Sequence, residues 1–348
     1  MLVGPQGRVV GSISGGCVEG AVYDLAQESI LSRQPVLETY GAADSAGFAV
    51  GLTCGGGVEV FVEAIDQRTF PQWGVVAADL AAERPVAVAT IIACRDRQAL
   101  GHHLVERTDG SGISFAGLPR SAVPQARLEA DVATHLRTGR TDVVNYPDGL
   151  RIFVATFRPR PRLILFGATE FTAVLSQIGA AIGFKVTVCD ARAPFATAER
   201  FPHAEEVVVD WPHRYLSAEQ AAGRLDDRTA VCLLTHDPKF DTPLLEVALR
   251  IPELAYVGAM GSRSAHVRRL EQLRRVGLSD HELAGLCSPV GLDLGAVMPE
   301  GTAVSIAAEI IAQAHGGSGR RLTDLDGPLH SRTMSHRLAV TATPEIVG

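Results

Sequence analysis

Beyond the proline-punctuated stretch Arg158-Pro159-Arg160-Pro161, short apolar runs alternate with helical periodicity, and this alternation restricts the fold more than any other feature. Residues 163–166 read as a strand, 173–182 as a helix, and 185–189 as a second strand ending at Asp190. Further strands at 206–209, 230–234 and 255–257 alternate with helices around 244–249 and 265–276. Short apolar strands joined by helical crossovers pack as a parallel sheet covered on both faces. The expected class is α/β, with a Rossmann-like doubly wound parallel sheet over 162–320. A last helix at 302–314 is stopped by Gly316-Gly317, and 321–348 reads as a loosely packed tail. Each proline of the linker biases its predecessor toward extended backbone, which separates this domain from residues 1–157.

Residues 1–157 read as an α+β domain with an internal repeat, 1–65 and a degenerate copy at 100–157. Leu104-Val105-Glu106 running on to Ser111-Gly112-Ile113-Ser114 echoes Leu2-Val3-Gly4 running on to Ser12-Ile13-Ser14, and Leu150-Arg151-Ile152-Phe153-Val154 echoes Val58-Glu59-Val60-Phe61-Val62. Where the first copy has Gly15-Gly16-Cys17 the second has Ala116-Gly117-Leu118-Pro119. The loop Thr53-Cys54-Gly55-Gly56 shrinks to Tyr146-Pro147-Asp148-Gly149. If the copies share a fold, that fold does not require the cysteines.

The first copy carries two glycine-rich stretches, each with a cysteine and a following glutamate: Gly15-Gly16-Cys17-Val18-Glu19 and Cys54-Gly55-Gly56-Gly57-Val58-Glu59. Glycine lets successive N–H groups point at an anion, and a thiolate is a soft ligand for a transition metal. Cys17 falls where a strand (9–13) turns into a helix marked by Val18, Val22, Leu25 and Ile30, so the helix dipole favours its thiolate. Cys54 precedes a strand with Val58, Val60 and Val62 on one face and Glu59, Phe61 and Glu63 on the other. Together these suggest a site for an anionic, metal-bearing ligand.

A net charge of −7 without a long basic run argues against nucleic acid or an anionic membrane as partner. No apolar run approaches the length of a membrane span and no signal peptide is recognisable, so a cytoplasmic location is expected. The six cysteines are scattered without a C-x-x-C pair, and Cys94, Cys189 and Cys232 read as buried small hydrophobes.

In the second domain the first strand–helix turn reads Gly167-Ala168-Thr169-Glu170, with only the first glycine of a dinucleotide fingerprint. Thr169 would crowd a pyrophosphate and Glu170 would repel it, so NAD(P) binding is not expected, although Asp190 stands where a ribose hydroxyl could be accepted. At later strand ends, Thr235-His236-Asp237 with Asp241 and Gly258 to Arg263 form a second candidate site of His236, Asp237, Ser262 and Arg263.

These stretches, with Ser288-Pro289-Val290-Gly291-Leu292, Gly295, Pro299-Glu300 and Ala308-Glu309-Ile310-Ile311-Ala312, resemble the XdhC/CoxI family over nearly the whole chain. That family comprises accessory proteins of xanthine dehydrogenase and related molybdenum hydroxylases. The resemblance implies an accessory protein rather than an enzyme, one that binds molybdenum cofactor (molybdopterin) transiently. It would protect the cofactor while its terminal sulfido ligand is installed, then deliver it to an apo-xanthine dehydrogenase or carbon monoxide dehydrogenase-type molybdoenzyme. A cysteine desulfurase and a second copy of the chain are the other implied partners. In this setting Cys17 and Cys54 face molybdenum or sulfur, Gly15, Gly16, Gly55 and Gly56 donate backbone N–H groups, and Glu19 and Glu59 hydrogen-bond the pterin. The family commonly has Gly-Ala-Gly-His where this chain has Gly167-Ala168-Thr169-Glu170. It also begins some tens of residues earlier, so Met1 reads as an internal start whose unpaired sheet edge a dimer would cover. The alternatives are an NAD(P)-dependent oxidoreductase and a thiol redox sensor using a Cys17–Cys54 disulfide. A xanthine dehydrogenase itself is excluded, because two 2Fe–2S clusters with four thiolates apiece need more than the six cysteines present.

Overall fold

The computed structural model describes residues 1–41, 57–112 and 123–326. They form two compact units, one over Met1–Pro159 and the other from Arg160 onward. No helix among the described residues is long and apolar enough to cross a membrane.

The first unit opens with a small antiparallel pair, β1 (Leu2–Val3) and β2 (Val9–Val10), followed by α1 (Glu19–Ser32). The antiparallel ribbon of β3 (Val36–Tyr40) and β4 (Val58–Val62) comes next, then α2 (Trp73–Ala81). A four-stranded antiparallel sheet completes it: β5 (Val86–Ala93), β6 (His103–Arg107), β7 (Asp142–Asn145) and β8 (Arg151–Phe157), in the order β6-β5-β8-β7, with α3 (Gln125–Thr138) between β6 and β7. The runs α1–β3–β4 and α3–β7–β8 match in kind. Each is a helix of 14 residues ended by a left-handed residue, Arg33 or Gly139, and followed by an antiparallel strand pair. The second strand is shorter than the periodicity predicts, stopping at Val10, because Ile13 and Ser14 donate their N–H groups to Glu19 instead of to a sheet partner.

Alternation along the strands decides what each face of the four-stranded sheet meets. Ala87, Ala89, Ile91, Ile152 and Val154 pack on Leu128, Val132 and Leu136 of α3. The opposite face carries Val88, Thr90, Ile92, Phe153, Ala155 and Phe157 toward the ribbon and bounds a cavity.

In the second unit six parallel strands alternate with helices: β9 (Arg162–Phe166), α4 (Glu170–Ala181), β10 (Lys185–Cys189), β11 (Glu206–Val208), α5 (Pro212–Ala221), β12 (Ala230–Leu233), α6 (Pro238–Ala248), β13 (Tyr256–Ala259), α7 (Arg263–Arg275), α8 (Asp280–Leu283), β14 (Leu286–Cys287) and α9 (Pro299–His315). The sheet order is β11-β10-β9-β12-β13-β14, the doubly wound order that reverses direction between β9 and β12. Central β9 shows why the sheet must be covered twice. Leu163 and Leu165 enter one core with α9 residues Ile306 and Ile310, while Ile164 and Phe166 enter the other with Leu244 and Leu245 of α6. All four β9 residues are essentially fully buried, at about 1.5–3 kcal/mol each. Helix α5 and the short pieces α8 and β14 add to the predicted elements; α5 shows little amphipathic contrast along its ten residues, and the other two are too short to leave a periodic signal.

A buried polar network ties the carboxyl ends of these strands together. Thr235 donates its hydroxyl to Asp241, and Arg269 reaches Asp241 at 3.4 Å, the Ser288 hydroxyl at 2.8 Å and the Met260 carbonyl at 2.8 Å. Burial pushes the Asp241 carboxyl above its ordinary value, against the opposing pull of Thr235 and Arg269. Nearby, Glu309 of α9 accepts the Gly291 N–H at 2.8 Å and the Tyr256 hydroxyl, latching the loop after β14 onto the last helix. Gly291 has φ of +102°, and a Cβ there would lie 2.5 Å from the Ser305 hydroxyl.

Removing one member of a buried pair leaves an uncompensated charge, whereas removing both does not. Arg269→Met should therefore destabilise the second unit by about 3–5 kcal/mol, and Asp241→Leu added to it should restore part of that loss. Urea unfolding followed by circular dichroism reads both. A double variant no more stable than Arg269→Met would show that the pair does not set the stability of this edge.

Candidate functional site

The chain between β2 and α1 folds around a carboxylate of its own. Glu19, the first residue of α1, accepts six hydrogen bonds: from the Ser12 hydroxyl (2.6 Å), the Ile13 N–H (3.1 Å), the Ser14 N–H (2.8 Å), the Ser14 hydroxyl (2.9 Å), the Gly16 N–H (2.8 Å) and the Val18 N–H (3.2 Å). Gly15 donates to the Ser12 hydroxyl at 3.2 Å and Cys17 to the Ser14 hydroxyl at 3.1 Å. Gly15 and Gly16 sit at φ of +75° and +120°, the conformations that turn these N–H groups inward. The Ser12 hydroxyl and the Ser14 N–H, with Ile13 and the Ser14 hydroxyl, hold the Glu19 carboxyl far below the usual carboxylate range. The loop is thus an anion cradle filled by an internal anion, and a ligand anion would have to compete with Glu19 for the Gly16 and Val18 donors.

Cys17 is half-buried beside the small core of Val18, Val22 and Val62. Cys54, Gly55 and Gly56 lie outside the described residues. Glu59 projects from the opposite face of β4 and forms a two-pronged pair with Arg151 of β8, at 2.9 and 2.6 Å. Arg151 holds the Glu59 carboxyl below its ordinary value. Glu19 and Glu59 therefore both have strong protein partners, and sequence reading foresaw neither Ser12 and Ser14 in that role nor Arg151.

Between the ribbon and the four-stranded sheet lies a cavity of about 590 Å³. Ile13 from the Cys17 loop, Glu59 and Phe61 from β4, and Val88, Ile92, Phe153 and Phe157 from the sheet are among the residues that bound it. His103, directly opposite Thr90 in the β5–β6 pairing, holds Glu63 at 3.0 Å and stacks on Phe70 with ring centroids 3.9 Å apart. Sequence reading put Glu63 on the same face as Glu59 and Phe61 but did not place it at a cavity. His103 was not foreseen, because its approach depends on how β6 pairs and on where the ribbon lies.

In the second unit a cavity of about 360 Å³ opens at the carboxyl ends of the strands, where the sheet order reverses. Thr169, Glu170, Arg192, Thr235, His236 and Asp237 line it. His236 is exposed there, and Asp237 caps α6 through the Lys239 N–H at 3.2 Å while its carboxylate pairs with the Lys239 ammonium at 3.0 Å. Ser262 caps α7 through the Ala265 N–H at 3.1 Å, and it and exposed Arg263 lie outside the lining of this cavity.

The altered glycine turn has its own structural reasons. Gly167 has φ of +108°, and a Cβ would lie 2.3 Å from the Thr235 methyl, so packing against the chain just beyond β12 demands this glycine. Thr169 caps α4, accepting from the Thr172 N–H at 3.3 Å, and Glu170 puts a negative charge in the first turn. Asp190 is 2% exposed and accepts from the Ala168 N–H at 2.7 Å and from Arg192 through its N–H, Nε and Nη2 at 2.7–2.9 Å. Burial raises its pKa, but Arg192 and the Ala168 N–H outweigh it and hold the carboxyl below the ordinary range.

Cys189 and Cys232 are fully buried, as expected, and burial pushes both thiols up; Cys94 instead is only half-buried, its thiol donating to the Asp96 carbonyl at 2.9 Å. Among the described residues, no group of three or more His, Cys, Asp and Glu side chains is gathered to hold a metal ion.

Two family descriptions match the chain: the XdhC Rossmann domain over residues 163–310, and the XdhC and CoxI family over residues 1–41. A Bacillus subtilis protein named as a probable subunit of xanthine dehydrogenase is 29% identical over 314 residues, spanning 89% of this chain and 86% of that one. The molybdenum cofactor insertion chaperone PaoD of Escherichia coli is 27% identical over 310 residues, spanning 89% of this chain and 76% of PaoD. A crystal structure described as a xanthine dehydrogenase from Bacillus halodurans superposes with a TM-score of 0.67 at 25% identity, covering 89% of this chain and 84% of that one.

A depressed carboxylate stabilises its loop above the ordinary carboxylate pKa and loses that effect only as pH falls through the lowered value. The Gly16 and Val18 amides should therefore stay protected between about pH 5 and 8. Glu19→Gln should raise their exchange several-fold at every pH in that window, as read by hydrogen exchange and NMR. Unchanged protection in Glu19→Gln would mean that the carboxylate does not hold the loop.

Proposed function

Because this chain belongs to the XdhC and CoxI family, we propose that it is an accessory protein that binds molybdenum cofactor and inserts it into a molybdenum hydroxylase. The geometric observation that carries this reading is the loop from Ser12 to Glu19. Backbone and hydroxyl donors converge there on one anionic group, and Cys17 lies within the same turn. An oxyanion of the cargo would take the position of the Glu19 carboxylate, and Cys17 would offer a sulfur ligand beside it. Cys54, Gly55 and Gly56 are proposed as the second half of the same site.

Molybdenum cofactor is here a cargo: an anionic pterin phosphate whose metal is held by a dithiolene. The protein's task is to bind it, keep water from the metal while the terminal sulfido ligand is installed, and release it. A xanthine dehydrogenase or carbon monoxide dehydrogenase-type apo-enzyme is the proposed recipient, a cysteine desulfurase the proposed sulfur source, and a homodimer the proposed working form. His236, Asp237, Ser262 and Arg263 are proposed as a secondary anion site on the Rossmann-like unit.

Cys17→Ser and Cys54→Ser should each lower the molybdenum and pterin that co-purify with the chain from a molybdenum-replete host, with folding intact by circular dichroism. Unchanged stoichiometry in both variants would remove the thiols from the site. The competing reading, a nicotinamide-dependent oxidoreductase, is favoured by the strand order and opposed by capped Thr169, by Glu170 and by the engagement of Asp190. Calorimetry with NAD, NADP or FAD should find binding no tighter than about millimolar, roughly 4 kcal/mol. A micromolar dissociation constant for any of the three would favour the oxidoreductase.

A further inference from the structure

The cavity of the first unit combines walls and polar groups in a way that folding alone does not require. Val88, Ile92, Phe153, Ala155 and Phe157 make the sheet side apolar, yet Thr90 and His103 interrupt it and Glu63, just past β4, meets His103 there. The side chain of His103 is 3% exposed and that of Glu63 19%. Replacing a buried pair of this kind by apolar side chains is commonly neutral or stabilising, so its presence at a cavity wall calls for a reason other than stability. The pair is also held rigidly. His103 gives one ring nitrogen to Glu63 Oε1 at 3.0 Å, and Phe70 lies parallel to its ring at 8°. Glu63 Oε2 takes no hydrogen bond from a described residue.

We infer that this cavity binds the ring of a pterin, with Glu63 accepting from the ring's amino and amide N–H groups and the apolar walls covering its faces. The inference rests on the carrier reading above and names a part of the cargo that the Cys17 loop does not explain. A volume of about 590 Å³ fits a ring system with its side chain, within the range of about 300–1,000 Å³ usual for such pockets. A carboxylate set among apolar walls matches a ring edge bearing two adjacent N–H donors. Ile13 supplies the continuity: its side chain bounds the cavity while its N–H belongs to the Glu19 cradle. A ring bound here would therefore lie beside the loop proposed for the anionic end of the same molecule.

Guanine presents the same donor edge, so the test needs both ligands. Free pterin, followed by its own fluorescence, should be quenched saturably by the full chain, and guanosine monophosphate should compete poorly. Glu63→Gln keeps a hydrogen-bonding partner for His103 but replaces one acceptor by a donor, and should weaken pterin binding about ten- to a hundred-fold. Ala155→Phe leaves the Glu63–His103 pair untouched, fills the slot and should abolish binding. Thermal unfolding checks that both variants fold. Equal dissociation constants in the wild type and both variants would overturn the cavity assignment and leave the carrier reading standing. So would absence of pterin binding by wild-type protein that still co-purifies molybdenum and pterin. Tighter binding of guanosine monophosphate than of pterin would overturn the choice of ligand.

Discussion

Carboxylates that accept backbone N–H groups hold the loops on which both units depend. Glu19 gathers the turn from Ser12 to Val18, Asp190 holds Ala168 after the first Rossmann strand, and Glu309 holds Gly291 after the last. Each loop leaves a strand end with N–H groups that no sheet partner can take, and where the donor is buried, as at Ala168, leaving it unpaired costs about 1–3 kcal/mol. Satisfying them with a side chain fixed to a helix or strand gives the turn one geometry and ties it to a rigid element. In the Ser12 to Val18 loop the glycines follow from the need to point several N–H groups at one oxygen pair, whereas Gly167 and Gly291 are demanded by the Thr235 and Ser305 side chains that pack against them.

This arrangement explains which parts of the molecule could be read in the sequence. The doubly wound sheet was legible because β9 and β12 carry unbroken apolar runs and β10 is interrupted only by Thr187, and only burial on both faces suits such strands. The alternation of β4 was legible for the same kind of reason: Val58, Val60 and Val62 do pack with Val18 and Val22, and Glu59, Phe61 and Glu63 do face the other way. What the sequence withheld were the partners of charged residues. Arg151 finds Glu59 across 92 residues, and Arg269 finds Asp241 across 28, through strand order and helix packing that leave no local pattern. Glu19 was visible as a residue of interest, but a glutamate three residues after a glycine reads equally as a ligand or as a loop clamp. Only the positions of Ser12, Ser14 and Gly16 around it distinguish the two.

The same logic revises the meaning of the broken dinucleotide fingerprint. Judged as a motif, Gly167 is a remnant of phosphate binding. Judged by its surroundings, it is required by the Thr235 methyl, which leaves no room for a Cβ whatever the turn binds. Asp190, which could serve a ribose, instead braces Ala168 and grips Arg192 with both oxygens. The polar groups of this first turn have partners within the protein, and the doubly wound order alone assigns no ligand to it.

Turning ligand-type donors inward also bears on the thermodynamics of a carrier. If a cargo oxyanion enters the Ser12 to Val18 loop, it gains its own hydrogen bonds and loses those of Glu19 to the same donors. The net affinity is then a difference between two similar sets, whereas an empty nest would contribute the whole of one set. The displaced carboxylate remains covalently tethered beside the nest, at an effective concentration that favours its return. A site built this way keeps its shape in the absence of cargo and is biased toward exchange, so tight holding must come from contacts elsewhere on the ligand. On the proposed carrier reading, such contacts would be given up one group at a time to a recipient protein.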